Sequence, residues 1–291
     1  MELPPGYEPL TYLCKDYVMH LHKAVYGLKQ APRAWNITYS DSLRSLGYLP
    51  SPIEPCSFRR EEYSHSHEGE KITGYTYVCL YVDDLLICAS DEVLDNAKSE
   101  IMVLFSSRDL GEVKHYMGMK FDYNCWTQTL KISMPDYCRN LAQRCGLENA
   151  APKRDPISAT HGMKPGPKVF DSVSLGWYAT AIGALLWPAL TCHPEIAYTV
   201  SYLASANHCF TPQHLSTIKH LICYLKATPD QGITYDGCCN FIEYTFADAN
   251  WGPESDGQRK SQSGYVTMLA GGAVSWGSKR QKSVALSTKV L

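Results

Sequence analysis

No uninterrupted apolar run in this sequence approaches the ~18 residues that a membrane helix needs. The opening MELPPGYEPLTYL carries Glu2 and has no basic stretch followed by an apolar one, so it does not read as a secretory signal. Charge is scarce as well. Charged residues make up 19%, and 27 Lys plus Arg against 29 Asp plus Glu leave a net charge of −2. The chain as a whole therefore exerts no attraction on nucleic acid, and any such contact has to come from a local basic patch. There is no Cys-x-x-Cys pair, no internal repeat and no low-complexity tract. What is present is core-forming: 45% of 291 residues are apolar, enough for about two domains. A soluble intracellular protein is expected. The 12 Cys are scattered and read as reduced, small buried hydrophobes, as in Tyr-Val-Cys79-Leu and Leu-Ile-Cys88-Ala. His65 and His67 lie among four Glu in EEYSHSHEGEK, where a solvated hairpin loop is expected rather than a metal site, which needs three or four convergent ligands.

Punctuation residues divide the chain. Pro32 and Gly47 bracket a helix from Arg33 to Leu46, and the run 72–89 reads as two strands around a turn at Asp83-Asp84. Both faces of that run are apolar, so the hairpin is expected to be central and buried. A helix follows from Asp91 to Phe105, with Ser90 or Asp91 as cap and Val93, Leu94, Ala97, Ile101, Leu104 and Phe105 on its apolar face. Two short strand stretches come next. Ser133-Met-Pro135-Asp136 then opens a helix that Gly146 closes, and the Pro-, Lys- and Gly-rich 149–172 reads as a linker. Three helices are expected: 174–187 stopped by Pro188, 194–207 after Pro194, and 212–227 after Thr211-Pro212. From 241 the period changes to two, giving three strands in FIEYTFADA, SGYVTML and AVSWGS.

Adjacent carboxylates on a rigid hairpin are costly unless a cation compensates them, and hard oxygen ligands with open positions suit Mg²⁺. Around them the residues form a pattern. Tyr81-Val-Asp83-Asp84 followed by LLI resembles the metal-binding hairpin of reverse transcriptases. Tyr26-Gly-Leu-Lys29-Gln30-Ala-Pro-Arg33-Ala-Trp35 is similar to the template and nucleotide grip of copia-type retrotransposons. Asp109-Leu-Gly-Glu-Val-Lys-His-Tyr-Met-Gly-Met resembles the stretch that closes the palm. Trp177-Tyr-Ala-Thr and His193-Pro-Glu resemble the region between polymerase and ribonuclease H. Ala247-Asp248-Ala-Asn-Trp251, Ser263-Gly-Tyr, Val274-Ser-Trp276 and the stretch from Lys282 to Thr288 resemble the opening of a copia-type ribonuclease H domain.

The resemblance implies an α+β fold: a reverse-transcriptase palm with an antiparallel sheet in 1–148, a linker at 149–172, a helical connection in 173–238, and an incomplete ribonuclease H-like sheet in 239–291. It implies that Asp83 and Asp84 are catalytic metal ligands, that Gln30 and Tyr81 lie near nucleotide or template, and that Lys29 and Arg33 lie near phosphate. The chemistry would be two-metal nucleotidyl transfer with Mg²⁺ or Mn²⁺. Asp248 would be the first carboxylate of a second metal site. Each role has a plainer counterpart: an ordinary turn in water for Asp83 and Asp84, a helix-entry cap for Gln30, a solvated face for Lys29 and Arg33, a strand end for Asp248. Arg259, Lys260, Lys279, Arg280 and Lys282 form a nucleic-acid patch if strands 264–269 and 273–278 pair; a solvated hairpin end is the alternative. RNA template, RNA–DNA hybrid and other segments of the Pol polyprotein are the implied partners, with a cytoplasmic particle or the nucleus as location.

Against the family pattern, the palm carboxylate upstream of Pro4-Pro5-Gly6 is missing, and Lys289 stands where a catalytic Glu is expected. Two readings stay open on the sequence: a copia-type RNA-directed DNA polymerase fragment, inactive as this chain, and a non-catalytic retroelement remnant that binds nucleic acid weakly.

Overall fold

The computed structural model describes residues 20–66, 69–105, 107–156, 172–239, 241–250 and 260–282. It consists of two compact units, Met1–Glu112 and Val113–Leu291.

In the first unit, α1 (Ala31–Ser45) starts at Pro32 in its first turn, and the chain leaves it through Gly47 at φ +85°. Four antiparallel strands follow in the order β1 (Leu49–Pro50), β2 (Ser57–Ser66), β3 (Gly69–Tyr81) and β4 (Asp84–Cys88), then α2 (Asp91–Leu104). Tyr39 and Leu43 of α1, Tyr48, Phe58, Val78, Leu80 and Ile101 of α2 form one core. The expected cap of α2 is backbone only: Ser90 stands at the N-cap, but no side chain bonds there. Arg60 on β2 joins sheet to helix, reaching Glu62 at 2.9 Å and Glu100 of α2 at 2.6 Å, with its guanidinium 4.6 Å from the Tyr48 ring.

The hairpin β3–β4 forms, but not as a central, buried one. Along β3, Thr76, Val78 and Leu80 are buried while Tyr75, Tyr77, Cys79 and Tyr81 are exposed, and β4 is an edge strand of its sheet. The outward apolar residues are mostly tyrosines, whose hydroxyls tolerate water, so alternation of apolar type does not mean burial of both faces. Cys79 and Cys88 are therefore exposed, as are Cys125, Cys238 and Cys239; Cys138, Cys192 and Cys223 are the buried ones. Cys14 lies outside the described residues, as do His67 and the side chain of His65.

The second unit opens with β5 (His115–Tyr116), β6 (Met119–Asn124) and β7 (Thr129–Ser133), then α3 (Pro135–Arg144), with Met134 at the N-cap position, no side-chain cap bond, and Gly146 following at φ +66°. After the linker region, whose residues 157–171 are outside the described set, come α4 (Ser172–Thr191), a 3₁₀ turn (Pro194–Ile196), α5 (Ala197–Ser205) and α6 (Pro212–Ala227). Pro188 does not stop α4. A proline at 188 removes the N–H that would bond the Ala184 carbonyl, and the Tyr137 hydroxyl of α3 donates to that carbonyl at 2.8 Å instead.

Three strands are additional to the sequence reading: β1, β2, which takes in part of the EEYSHSHEGEK stretch expected as a hairpin loop, and one that follows α6. β8 (Gly232–Asp236) pairs with β7, Ile132 opposite Ile233, giving a sheet β5-β6-β7-β8. Gly232 is required there, since a Cβ would run into the Ile132 carbonyl. The second sheet, β11-β10-β9, contains β9 (Tyr244–Ala249), β10 (Gln262–Leu269) and β11 (Gly272–Arg280). Trp276 Nε1 donates to the Ala189 carbonyl at 2.7 Å, and Tyr235 Oη to the Ala273 carbonyl at 2.7 Å, so helices and both sheets share one core.

Candidate active site at the Asp83–Asp84 turn

The turn between β3 and β4 is two residues long, Val82 and Asp83, with Tyr81 paired to Asp84 across it. Val82 takes φ +52°, the left-handed conformation that a branched residue adopts only when held. The hold comes from α1: Trp35 Nε1 donates to the Val82 carbonyl at 2.7 Å. Trp35 is itself fixed by edge contact with Phe105, ring centroids 5.2 Å apart, and by Tyr39 at 5.5 Å. The two motifs singled out in the sequence, one ending at Trp35 and the other beginning at Tyr81, are thus joined by a single hydrogen bond.

Asp83 and Asp84 are both exposed, as are Tyr81 and Val82. The pair presents hard oxygen donors on a fixed backbone with solvent on the open side, a donor set that fits Mg²⁺ or Mn²⁺, which take one or two carboxylates together with substrate phosphates. Among the described residues no third His, Cys, Asp or Glu gathers into a metal-binding group. Lys29, Gln30 and Arg33 are exposed at the start of α1, the helix whose next residues carry Trp35. Gln30 occupies the N-cap position, but no side-chain cap bond forms; its carbonyl accepts from Ala34 N–H at 3.0 Å.

In the second unit, Asp248 is exposed on edge strand β9 opposite Gly264, and its Oδ1 accepts from the Ala249 N–H at 2.7 Å. The hairpin β10–β11 pairs Ser263 with Lys279 and Gln262 with Arg280, which places Lys260, Lys279, Arg280 and Lys282 at its open end. Arg259 lies outside the described residues. What sequence reasoning missed is a buried polar chain. His193, fully buried, pairs Nδ1 with Glu195 Oε1 at 2.8 Å; Tyr224 Oη donates to Glu195 at 3.3 Å and to Gln231 Oε1 at 2.9 Å. The spacing His193-x-Glu195 was visible, but its partner Tyr224 on α6 was not.

The chain matches known proteins along its whole length. Residues 1–159 match the reverse transcriptase (RNA-dependent DNA polymerase) family. The Retrovirus-related Pol polyprotein from transposon RE1 of Arabidopsis thaliana is 31% identical over 99% of the chain, and that from transposon TNT 1-94 of Nicotiana tabacum is 29% identical over 99%. The chain spans about a fifth of those polyproteins, 19% and 21% respectively. A putative transposon Ty5-1 protein of Saccharomyces cerevisiae is 30% identical, covering 97% of this chain and 87% of its own length. No solved structure matches. No described helix is long and apolar enough to cross a membrane. By the family match over 1–159 and these relatives, the chain belongs to the reverse transcriptase (RNA-dependent DNA polymerase) family of retrotransposon Pol polyproteins.

Proposed function

We propose that the Asp83–Asp84 turn is the catalytic metal-binding hairpin of an RNA-directed DNA polymerase palm. The observation that carries this reading is the pair of exposed carboxylates, one in and one just after a two-residue turn that Trp35 holds from α1. Asp83 and Asp84 would hold the Mg²⁺ or Mn²⁺ ions, which supply Lewis acidity at the primer hydroxyl and the departing phosphates. Tyr81 borders the carboxylates, and Lys29 and Arg33 offer cations at the start of the same helix that positions the turn. Gln30, with no capping bond, is left to meet nucleotide or template.

Asp248, on the edge of the β9–β11 sheet, is proposed as a carboxylate of a ribonuclease H-like site, and the open end of β10–β11 as a contact for an RNA–DNA hybrid. Residues 1–148 would then be palm and start of thumb, 173–238 a connection, and 239–291 the ribonuclease H-like part. RNA template and the other Pol segments are the proposed partners, in a cytoplasmic particle or the nucleus.

The test is primer extension by the purified chain on a homopolymer RNA template with Mg²⁺ or Mn²⁺. Template-directed incorporation that Asp83→Asn lowers by several orders of magnitude supports the assignment; incorporation unchanged by that substitution overturns it. A second reading, a remnant that binds nucleic acid without catalysis, draws on the lack of a third metal-ligand side chain beside the pair among the described residues. Salt-sensitive binding with no incorporation at either metal selects it.

A further inference from the structure

The outward face of β3 carries a row of tyrosines, of which the proposed chemistry uses Tyr81 alone. Tyr75, Tyr77 and Tyr81 are 38%, 43% and 50% exposed, and their strand ends at the Asp83–Asp84 turn. The Tyr75 and Tyr77 ring centroids are 6.1 Å apart and tilted by 41°, so the rings stand as separate platforms rather than closing on each other. From β2, paired opposite Tyr77, Arg59 lays its guanidinium 5.1 Å from the centre of the Tyr75 ring. The neighbouring Glu61 lies 4.0 Å from Arg59 and accepts a hydrogen bond from Tyr63 Oη, so its charge is compensated on the sheet itself.

Three physical features select the occupant. Tyr75 and Tyr77 are both more than a third exposed, and an aromatic ring with a polar hydroxyl suits a flat, polar-edged group better than an aliphatic protein surface. Successive outward positions on a strand are about 7 Å apart, twice the ~3.4 Å rise of stacked bases in a duplex, so the row fits unstacked bases and not a paired helix. A cation lies beside the rings, where a phosphate would pass.

We propose that Tyr75, Tyr77 and Arg59 form a stacking track that carries a single nucleic-acid strand along β3 toward the carboxylate turn, an inference that rests on reading that turn as a phosphoryl-transfer site. Recognition is by ring stacking and is indifferent to sequence. With one cation in the track, binding should depend on salt only weakly, with a slope near that of a single phosphate contact, about −0.7 for a single strand.

Fluorescence anisotropy of the full chain with a labelled 12-nucleotide oligothymidylate, and with the same oligonucleotide in a duplex, tests this. Tyr75→Ala/Tyr77→Ala should weaken single-strand binding at least about tenfold, and Tyr75→Phe/Tyr77→Phe should restore it, because only the ring is needed. Equal affinity in the Ala/Ala variant overturns the track. So does a preference for duplex, failure of Phe to restore binding, or a steep salt dependence, which assigns the strand to the basic end of β10–β11. A wild-type chain that ignores the strand also overturns it, as expected if this face covers a protein. Primer extension run in parallel separates the two proposals. Tyrosine-dependent binding without incorporation removes the catalytic reading and keeps the track; incorporation with tyrosine-independent binding does the reverse.

Discussion

Trp35 has one hydrogen-bond donor, and it goes to the carbonyl of a residue in a left-handed turn 47 positions away. Trp35→Phe keeps the packing on Phe105 and Tyr39 but removes the donor. The expected loss is about 1 kcal/mol in urea unfolding, with faster amide exchange at Val82–Asp84 than at Val78–Leu80. Unaltered exchange at the turn would mean that the bond does not hold it. A second residue-scale effect concerns pH. Burial pushes the Cys138 and Cys192 thiols from 9.0 up to about 12. Between these values the folded chain holds those protons more tightly than the unfolded chain, so stability must fall as pH rises beyond 9. The slope is at most about 1.4 kcal/mol per pH unit for each thiol. Urea midpoints from pH 7.5 to 11 should show the decline, and Cys138→Ala/Cys192→Ala should flatten the part that begins near 9. Tyr39, pushed from 10.0 up to about 12 by burial, adds a later decline above pH 10. The carboxylate turn was legible from Tyr81 to Asp84 only through its resemblance to the reverse-transcriptase hairpin, since adjacent Asp residues alone are common; the indole that clamps it was not, since a tryptophan inside an amphipathic helix reads first as core.

Helix α4 persists through Pro188 because another helix supplies the missing donor. Tyr137→Phe leaves the Ala184 carbonyl without that donor and should cost about 1–3 kcal/mol. Pro188→Ala restores an N–H for the same carbonyl, so in that background Tyr137→Phe should cost far less. A double-mutant cycle by urea unfolding measures the difference, and additive losses would contradict the compensation. The same element marks where sequence reading ran out. Helices bounded by local punctuation were legible: Pro32 and Gly47 for α1, Thr211-Pro212 for α6, Pro135 and Gly146 for α3. Pro188 carried the same local stop signal, and a tertiary hydroxyl overrode it. Strand β8 was illegible for a related reason. Its five residues, GITYD, are too short for a period to declare itself, and its partner β7 is remote in sequence.

At the scale of the molecule, the second unit is not a sequence of separable blocks. The sheet β5-β6-β7-β8 draws strands from both sides of the linker region, and Met134, Cys138 and Leu141 of the upstream segment share a core with α4, α5 and α6. A protease site engineered within 157–171 should therefore yield two pieces that stay together on gel filtration without denaturant. Their separation on cutting would show that the shared sheet and core do not bind them. The β7–β8 pairing also sets an order of events at birth. About a hundred residues separate Ile132 from Ile233, and closing such a loop costs about 4 kcal/mol of chain entropy. A ribosome adding roughly 5–20 residues per second delivers β8 some 5–20 s after β7. Throughout that interval the nascent sheet has β7 as a bare edge, with Leu130 and Ile132 awaiting cover, and a chaperone or a neighbouring nascent chain can reach it before its own strand does.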